Sequence, residues 1–192
     1  MAPFKTSFTI LAAFFSLTFL TTIKSETLFA RELSAPDQFG LKPEKMTHLR
    51  FYLHDIVTAQ HPTAVPVAQA ATTNTSSTFF GLVMVMDDPL TVGPDLNSTL
   101  VGRAQGMFVK SSQSELSLTM TMNLVFTEGA YKGSTLSVLA QNLILKNPRE
   151  LAIVGGTGVF RFARGYIQLR THTINMTTKN AIVKYDAYAL HY

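Results

Sequence analysis

An all-β fold, an eight-stranded antiparallel barrel, is what the sequence predicts, and three observations predict it. Strand-like runs follow one another with little helical period anywhere. Turn residues punctuate them, among them Gly129 and Gly133, Asn147-Pro148 and Thr177–Asn180. Several runs are apolar on both faces, so the outside as well as the inside of the sheet is covered.

Each element follows from its residues. Thr47–Asp55 alternates, with Leu49, Phe51, Leu53 and Asp55 on one face and Arg50, Tyr52 and His54 on the other. Ala64–Ala71 is a second strand, demoted by Pro66 to an edge or a bulge. Phe79–Asp87 is apolar on both faces. Val101–Val109, Glu115–Phe126, Gly133–Leu145, Phe160–Thr173 and Asn180–His191 complete the eight. Gly155-Gly156-Thr157-Gly158 resembles a phosphate loop only on paper. Such a loop needs a helix start behind it, whereas Phe160, Phe162, Tyr166 and Gln168 read as strand, so a tight bend is expected.

The totals set bounds. A chain of 192 residues, 46% hydrophobic and 15% charged, suits one domain with a sizeable core. The formal net charge of +4 is spread along the chain, and no nucleic-acid footprint is visible. Cysteine is absent, so neither a disulfide framework nor a thiol nucleophile is available. Residues 1–25 have a basic start at Lys5 and an apolar run from Phe8 to Leu20. That run is too short and hydroxyl-rich for a membrane anchor, and a secretory signal peptide is expected. Residues 26–45 form a polar, loosely ordered arm, and 46–192 the barrel. The sequons at Asn74, Asn97 and Asn175 fall in expected loops and fit a secreted, N-glycosylated chain.

Candidate chemistry is sparse. Asp55 shares a face with Leu49, Phe51 and Leu53. It is either a partly desolvated acid suited to proton transfer or a cap on the strand end. Asp87-Asp88-Pro89 reads chiefly as the start of the long loop Leu90–Leu100, with Asp87 kept as a pocket candidate should it point inward. Gly102, Ala104, Gly106 and Phe108 share a face. They either leave room for a flat aromatic ligand closed off by Phe108 or admit a close strand crossing. Asn142 lies on the face of Leu136, Val138 and Ala140, and Arg149 follows the Asn147-Pro148 turn. The five histidines lack ligand spacing, so no metal is expected. No cofactor motif is visible, and the chain is not expected to remove an electron by itself.

The motifs GGTGVFRFARGY, LRFYLHDI, MDDPLTVGPD, VGRAQGMF and NLVFTEGAYKGSTLSVLAQN occur in an order that resembles the plant dirigent protein family. The resemblance covers nearly the whole chain after about Thr47. It implies a trimer of eight-stranded barrels, secreted to the apoplast, that binds a phenolic substrate or its radical. It also implies an external oxidase, a laccase or peroxidase, as partner. His54-Asp55 matches the family's His-Asp motif, whose Asp is implicated as a pocket acid, and Arg149 matches a pocket Arg. Phe51 is a further candidate for the pocket wall. Members that form pinoresinol-type lignans carry Asp, Tyr and Phe where this chain has Asn142, Phe108 and Ala181, so the motifs sit nearer the pterocarpan-forming branch. Two functions are expected from this. The first is stereoselective coupling of phenoxy radicals from monolignols, such as coniferyl alcohol, into lignan-type products. The alternative is a lyase that dehydrates a hydroxylated isoflavonoid through a quinone methide. A plain binding protein, with Asp55 purely structural, is the third reading.

Overall fold

The computed structural model describes residues 42–192. The expected signal peptide and nearly all of the expected arm lie outside the described residues. Nine strands follow in chain order: β1 (Lys45–Asp55), β2 (Ala64–Ala68), β3 (Val83–Thr91), β4 (Leu100–Lys110), β5 (Ser117–Phe126), β6 (Thr135–Leu143), β7 (Arg149–Thr157), β8 (Arg164–Ile174) and β9 (Ala181–His191). All pairings are antiparallel. The sheet runs β1-β9-β8-β7-β6-β5-β4-β3-β2, and β1 also pairs with β3, through Tyr52↔Thr91 and Leu53↔Leu90. That pairing closes β1 and β3–β9 into an eight-stranded barrel. The short β2 lies along the part of the same β3 edge that β1 does not reach, Ala64 opposite Met86 and Val65 opposite Val85.

The number eight agrees with the sequence reading, but its membership differs. Ala64–Ala68 is a flap outside the cylinder. Arg149–Thr157, which the sequence reading left uncounted, is a full member. Its alternation is plain in the fold: Arg149, Leu151 and Ile153 are buried, while Glu150, Ala152 and Val154 are exposed. The glycines that close the strand conceal this period. Two boundaries also move. Phe79–Leu82 is turn rather than strand, with φ of 58° at Phe79 and 89° at Gly81, and β3 instead runs on through Pro89. Phe160–Ala163 is likewise not strand. A 3-10 turn at Gly158–Phe160 leads into Phe162 at φ 62°, and β8 starts at Arg164.

The expected tight bend at the glycine run is present, and its cause is visible. Gly158 sits at φ 62°, where a Cβ would meet the Ser134 hydroxyl at 2.5 Å. That hydroxyl accepts a hydrogen bond from the Val159 N–H at 3.0 Å. The turn thereby drops the Phe160 ring into the barrel, fully buried. There it packs 5.7 Å from Phe126, 5.1 Å from Tyr131 and 4.9 Å from His191, centroid to centroid. Phe126 in turn meets Phe51 edge-on at 6.2 Å. With Leu124, Leu136, Ile167 and Ala189, all without solvent exposure, these rings fill one end of the barrel.

On β4, Gly102 and Gly106 serve close strand crossing. A Cβ on either would overlap the β5 carbonyl oxygens of Val125 and Thr121. Of the two readings of that strip, close approach is the one the backbone supports.

Candidate active site

The opposite end of the barrel gathers the polar interior. Here β1 ends at Asp55 opposite Ala181, the start of β9. Here also β4 ends at Lys110, β6 approaches its end at Asn142, paired with Leu118, and β7 begins at Arg149 opposite Leu169. Tyr185 links Leu169 to Phe51 in the ladder, and its ring stacks on Phe51 at 5.4 Å. Phe51 and Tyr185 thus form the layer between the aromatic plug and the polar mouth.

Asp55 points into the barrel wall as the alternation of β1 requires. It is half-buried, and its Oδ1 has no hydrogen-bond partner. Burial pushes its carboxyl up to about 6, opposed by the positive charge of Lys110. A cleft of 630 Å³ opens beside it, lined by His54, Asp55, Leu96, Asn175, Met176 and Ala181 among others. That size suits a small organic ligand.

Asp87, the other acid proposed from the sequence, is not part of this site. It lies on the outer face, more than half exposed, and pairs with Arg103 Nε at 2.5 Å. The inward residue is Asp88, fully buried. The reason is the strand itself. β3 does not stop at Asp87, and its inner row is Met84, Met86, Asp88 and Leu90. Asp88 Oδ1 accepts a hydrogen bond from the Thr63 hydroxyl at 2.6 Å, while Oδ2 has no partner. Burial, then the neighbouring Asp55, pushes its carboxyl up to about 8. The even-numbered run Met84-Met86-Asp88-Leu90 was the signal in the sequence that could have found it.

Across the mouth, Asn142 is buried and donates from its amide nitrogen to Met120 Sδ at 3.1 Å, leaving its Oδ1 unpartnered. Arg149, also buried, donates through Nη1 to the carbonyls of Ile144 (3.2 Å) and Lys146 (3.1 Å) and to the Thr171 hydroxyl (2.8 Å). These bonds brace the β6–β7 turn and fix the guanidinium plane, while Nε stays unpartnered. Burial lowers the Arg149 pKa, yet an arginine keeps its charge. Phe108 lies on the same inner face, buried. Five buried side-chain atoms lack a partner among the described residues, and four of them belong to Asp55, Asp88, Asn142 and Arg149. Buried polar groups are normally satisfied, so this concentration marks the mouth as a site that can hold a polar ligand.

The structure therefore brings Asp55 and Ala181 to the cleft, while Arg149, Asn142 and Phe108 lie buried on the inner wall and do not line it. It places Phe51 beneath them and Asp87 outside. Lys110 and Tyr185 join the group without having been singled out in the sequence. Burial lowers the Lys110 pKa and raises that of Tyr185. Asn74, Asn97 and Asn175 are all exposed, the last on the rim of the cleft.

The chain is thus a closed antiparallel barrel with buried carboxyl groups at one end. The model of the dirigent-like protein family matches residues 46–190, and the chain belongs to that family. It is 47% identical over 182 residues to dirigent protein 21 of Arabidopsis thaliana, spanning 95% of this chain and 96% of that one. It is also 47% identical over 159 residues to pterocarpan synthase 1 of Glycyrrhiza echinata, spanning 82% and 85%. The solved structure of the pterocarpan synthase dirigent protein GePTS1 superposes with a TM-score of 0.77 at 49% identity, over 84% of this chain and 99% of that one.

Proposed function

We propose that the barrel mouth binds a hydroxylated isoflavonoid and closes its ring by losing water, with Asp55 as the acid. One observation carries this reading: the partly desolvated Asp55 carboxyl on the inner wall, with a free oxygen and a titration near 6, beside a ligand-sized cleft. A proton passes from Asp55 to the departing hydroxyl and the C–O bond breaks. Electrons from the conjugated phenol, present as its phenolate, then form a neutral quinone methide, and ring closure regenerates that phenolate. The second phenol attacks the methide carbon, and its proton returns to the Asp55 carboxylate. The balance is loss of one water. Similarity to pterocarpan synthases supports the choice of substrate class. Arg149, held by three acceptors, orients a phenolate or ring oxygen through Nε.

The test is turnover of an isoflavanol by the purified protein with no oxidant present. Product formation that collapses in Asp55→Asn is expected. No turnover by the native protein would remove the reading for that substrate.

The second reading is stereoselective coupling of phenoxy radicals made by an external oxidase. The rigidly braced Arg149 favours it, since coupling needs orientation rather than acid. A difference of about 1.4 kcal/mol between the two faces already gives tenfold selectivity. Chiral chromatography of monolignol products, made by a laccase with and without the protein, separates it from the first. In either case we place the protein outside the cell, behind a cleaved signal peptide and carrying N-glycans. A row of exposed apolar residues crosses the barrel wall in register, from Val65 through Val85 and Met107 to Leu139, interrupted on β5 by Thr121. Cover by two further copies of the chain accounts for that row.

A further inference from the structure

The register of the barrel seam carries a consequence for the acid. Leu53 of β1 stands opposite Leu90 of β3. Two residues further along each antiparallel strand, on the same inner face, lie Asp55 and Asp88. The β1–β3 pairing ends at Leu53↔Leu90, so the two acids lie just past the ladder rather than in it. The charge of Asp55 is felt at Asp88, so the two carboxyls are near neighbours at the seam. Each has one buried oxygen without a partner, Asp55 Oδ1 and Asp88 Oδ2.

The hydrogen bonds distinguish the two oxygens of Asp88. The Thr63 hydroxyl accepts from the Ile56 N–H at 3.1 Å and donates to Asp88 Oδ1 at 2.6 Å. With Oδ1 accepting from Thr63, Oδ2 is the oxygen left without a partner and free to carry a proton.

We propose that Asp55 and Asp88 work as one carboxyl pair holding a single proton, with Asp88 the positioning partner that resupplies Asp55. Asp88 is sealed from solvent, whereas Asp55 borders the cleft, so only Asp55 reaches a ligand. The Oδ2–H bond of Asp88 breaks as an O–H bond forms on the Asp55 carboxylate, and no other group changes its proton. Two neighbouring carboxylates resist ionising together, so the pair loses its protons in two separated steps. A lone Asp55 would be spent above about 6, whereas the pair retains one proton until about 8.

Few charged groups reach the pair. Lys110 on β4 faces Asp55, and Lys179 acts on Lys110. Arg103 and Asp87 act on Asp88 with opposite signs from the outer face. Tyr185 on β9 is buried and protonated, and Arg149 acts on it. His54, next to Asp55, turns away to Thr91 at 2.7 Å, and burial disfavours its charge.

This inference rests on the reading of Asp55 as the working acid, and two measurements keep the two separable. The first is carboxyl 13C NMR titration of the native protein, Asp88→Asn and Asp55→Asn, which needs no substrate. The upper step should vanish in Asp88→Asn, and the Asp88 step should move down in Asp55→Asn. An Asp88 step at the same pH with and without Asp55 would overturn the pair. If Asp88→Asn does not fold, Asp55→Asn alone decides this. The second is the pH profile of isoflavanol turnover. In Asp88→Asn the alkaline limb should retreat from near 8 toward 6 with the acid-side maximum kept. A uniform loss at all pH values would instead mark Asp88 as merely structural and overturn the resupply. Coupled titration without turnover would leave the pair standing and sink only the proposed function.

Discussion

The two ends of this barrel are made of the same strands and behave oppositely. One end is closed by Phe126, Tyr131, Phe160 and His191, packed ring against ring. The other holds Asp55, Asp88, Asn142 and Arg149, each with an atom left unpaired. The first maximises buried apolar contact and so supplies stability. The second gives up stability, because buried polar atoms without partners each carry a desolvation cost of roughly 1–3 kcal/mol. An interior that is plugged at one end and unsatisfied at the other can remain rigid while still holding a site for a ligand.

The largest expected effect lies at the open end. Asp55→Asn should lower isoflavanol turnover by about 10²–10⁴-fold, the range of a lost general acid. Its melting temperature should stay level or rise, because a partly desolvated charge has been removed. An equal loss of activity and of folding would erase the distinction between the ends.

At the closed end, Phe160→Ala should cost about 3–5 kcal/mol in a denaturant melt, because its ring has no solvent exposure and three aromatic neighbours. The alkaline limb of the turnover profile should not move in that variant.

The third test sharpens the contrast through pH. Asp55 and Asp88 titrate above the ordinary carboxylate range, at about 6 and about 8. Between an unfolded value near 3.8 and those values the folded chain keeps protons that the unfolded chain has released. Stability must therefore fall as pH rises through that window. Thermal melts at pH 5 and pH 8 should show the decline, and Asp88→Asn should flatten it. On the outer wall the sign reverses for Asp186. Burial there pushes upward, but hydrogen bonds from Arg50, Lys184 and His48 outweigh it and hold the carboxyl at about 2. Its contribution is present above about 3.8 and disappears as pH falls toward 2.

The smallest effect belongs to Asp87. Its pair with Arg103 is exposed, so Asp87→Asn should change stability by less than about 1 kcal/mol and leave turnover unchanged. A large loss of activity would mean that the outer face reaches the chemistry.

Much of the barrel was readable from period-2 alternation. Leu49, Phe51, Leu53 and Asp55 share the inner face as their spacing demands, and so do Leu136, Val138 and Asn142. The errors arose where one residue type carried two meanings. Pro89 reads as the start of a loop, but it lies inside β3 opposite Arg103, and that misreading exchanged Asp87 for Asp88. The glycines at 155, 156 and 158 obscured β7, because a strand ending in glycine loses the side chains that reveal its period. Tyr185 escaped notice because only the ladder joins it to Phe51 and Leu169.

Finally, the cylinder is sewn shut unevenly. β1 and β9 share eleven registered positions along their length, whereas β1 meets β3 at two. Any parting of the wall has the fewest ladder positions to undo along that short suture. Asp55 and Asp88 stand immediately beside it, so the two inner carboxyls lie at the edge where such a doorway would open.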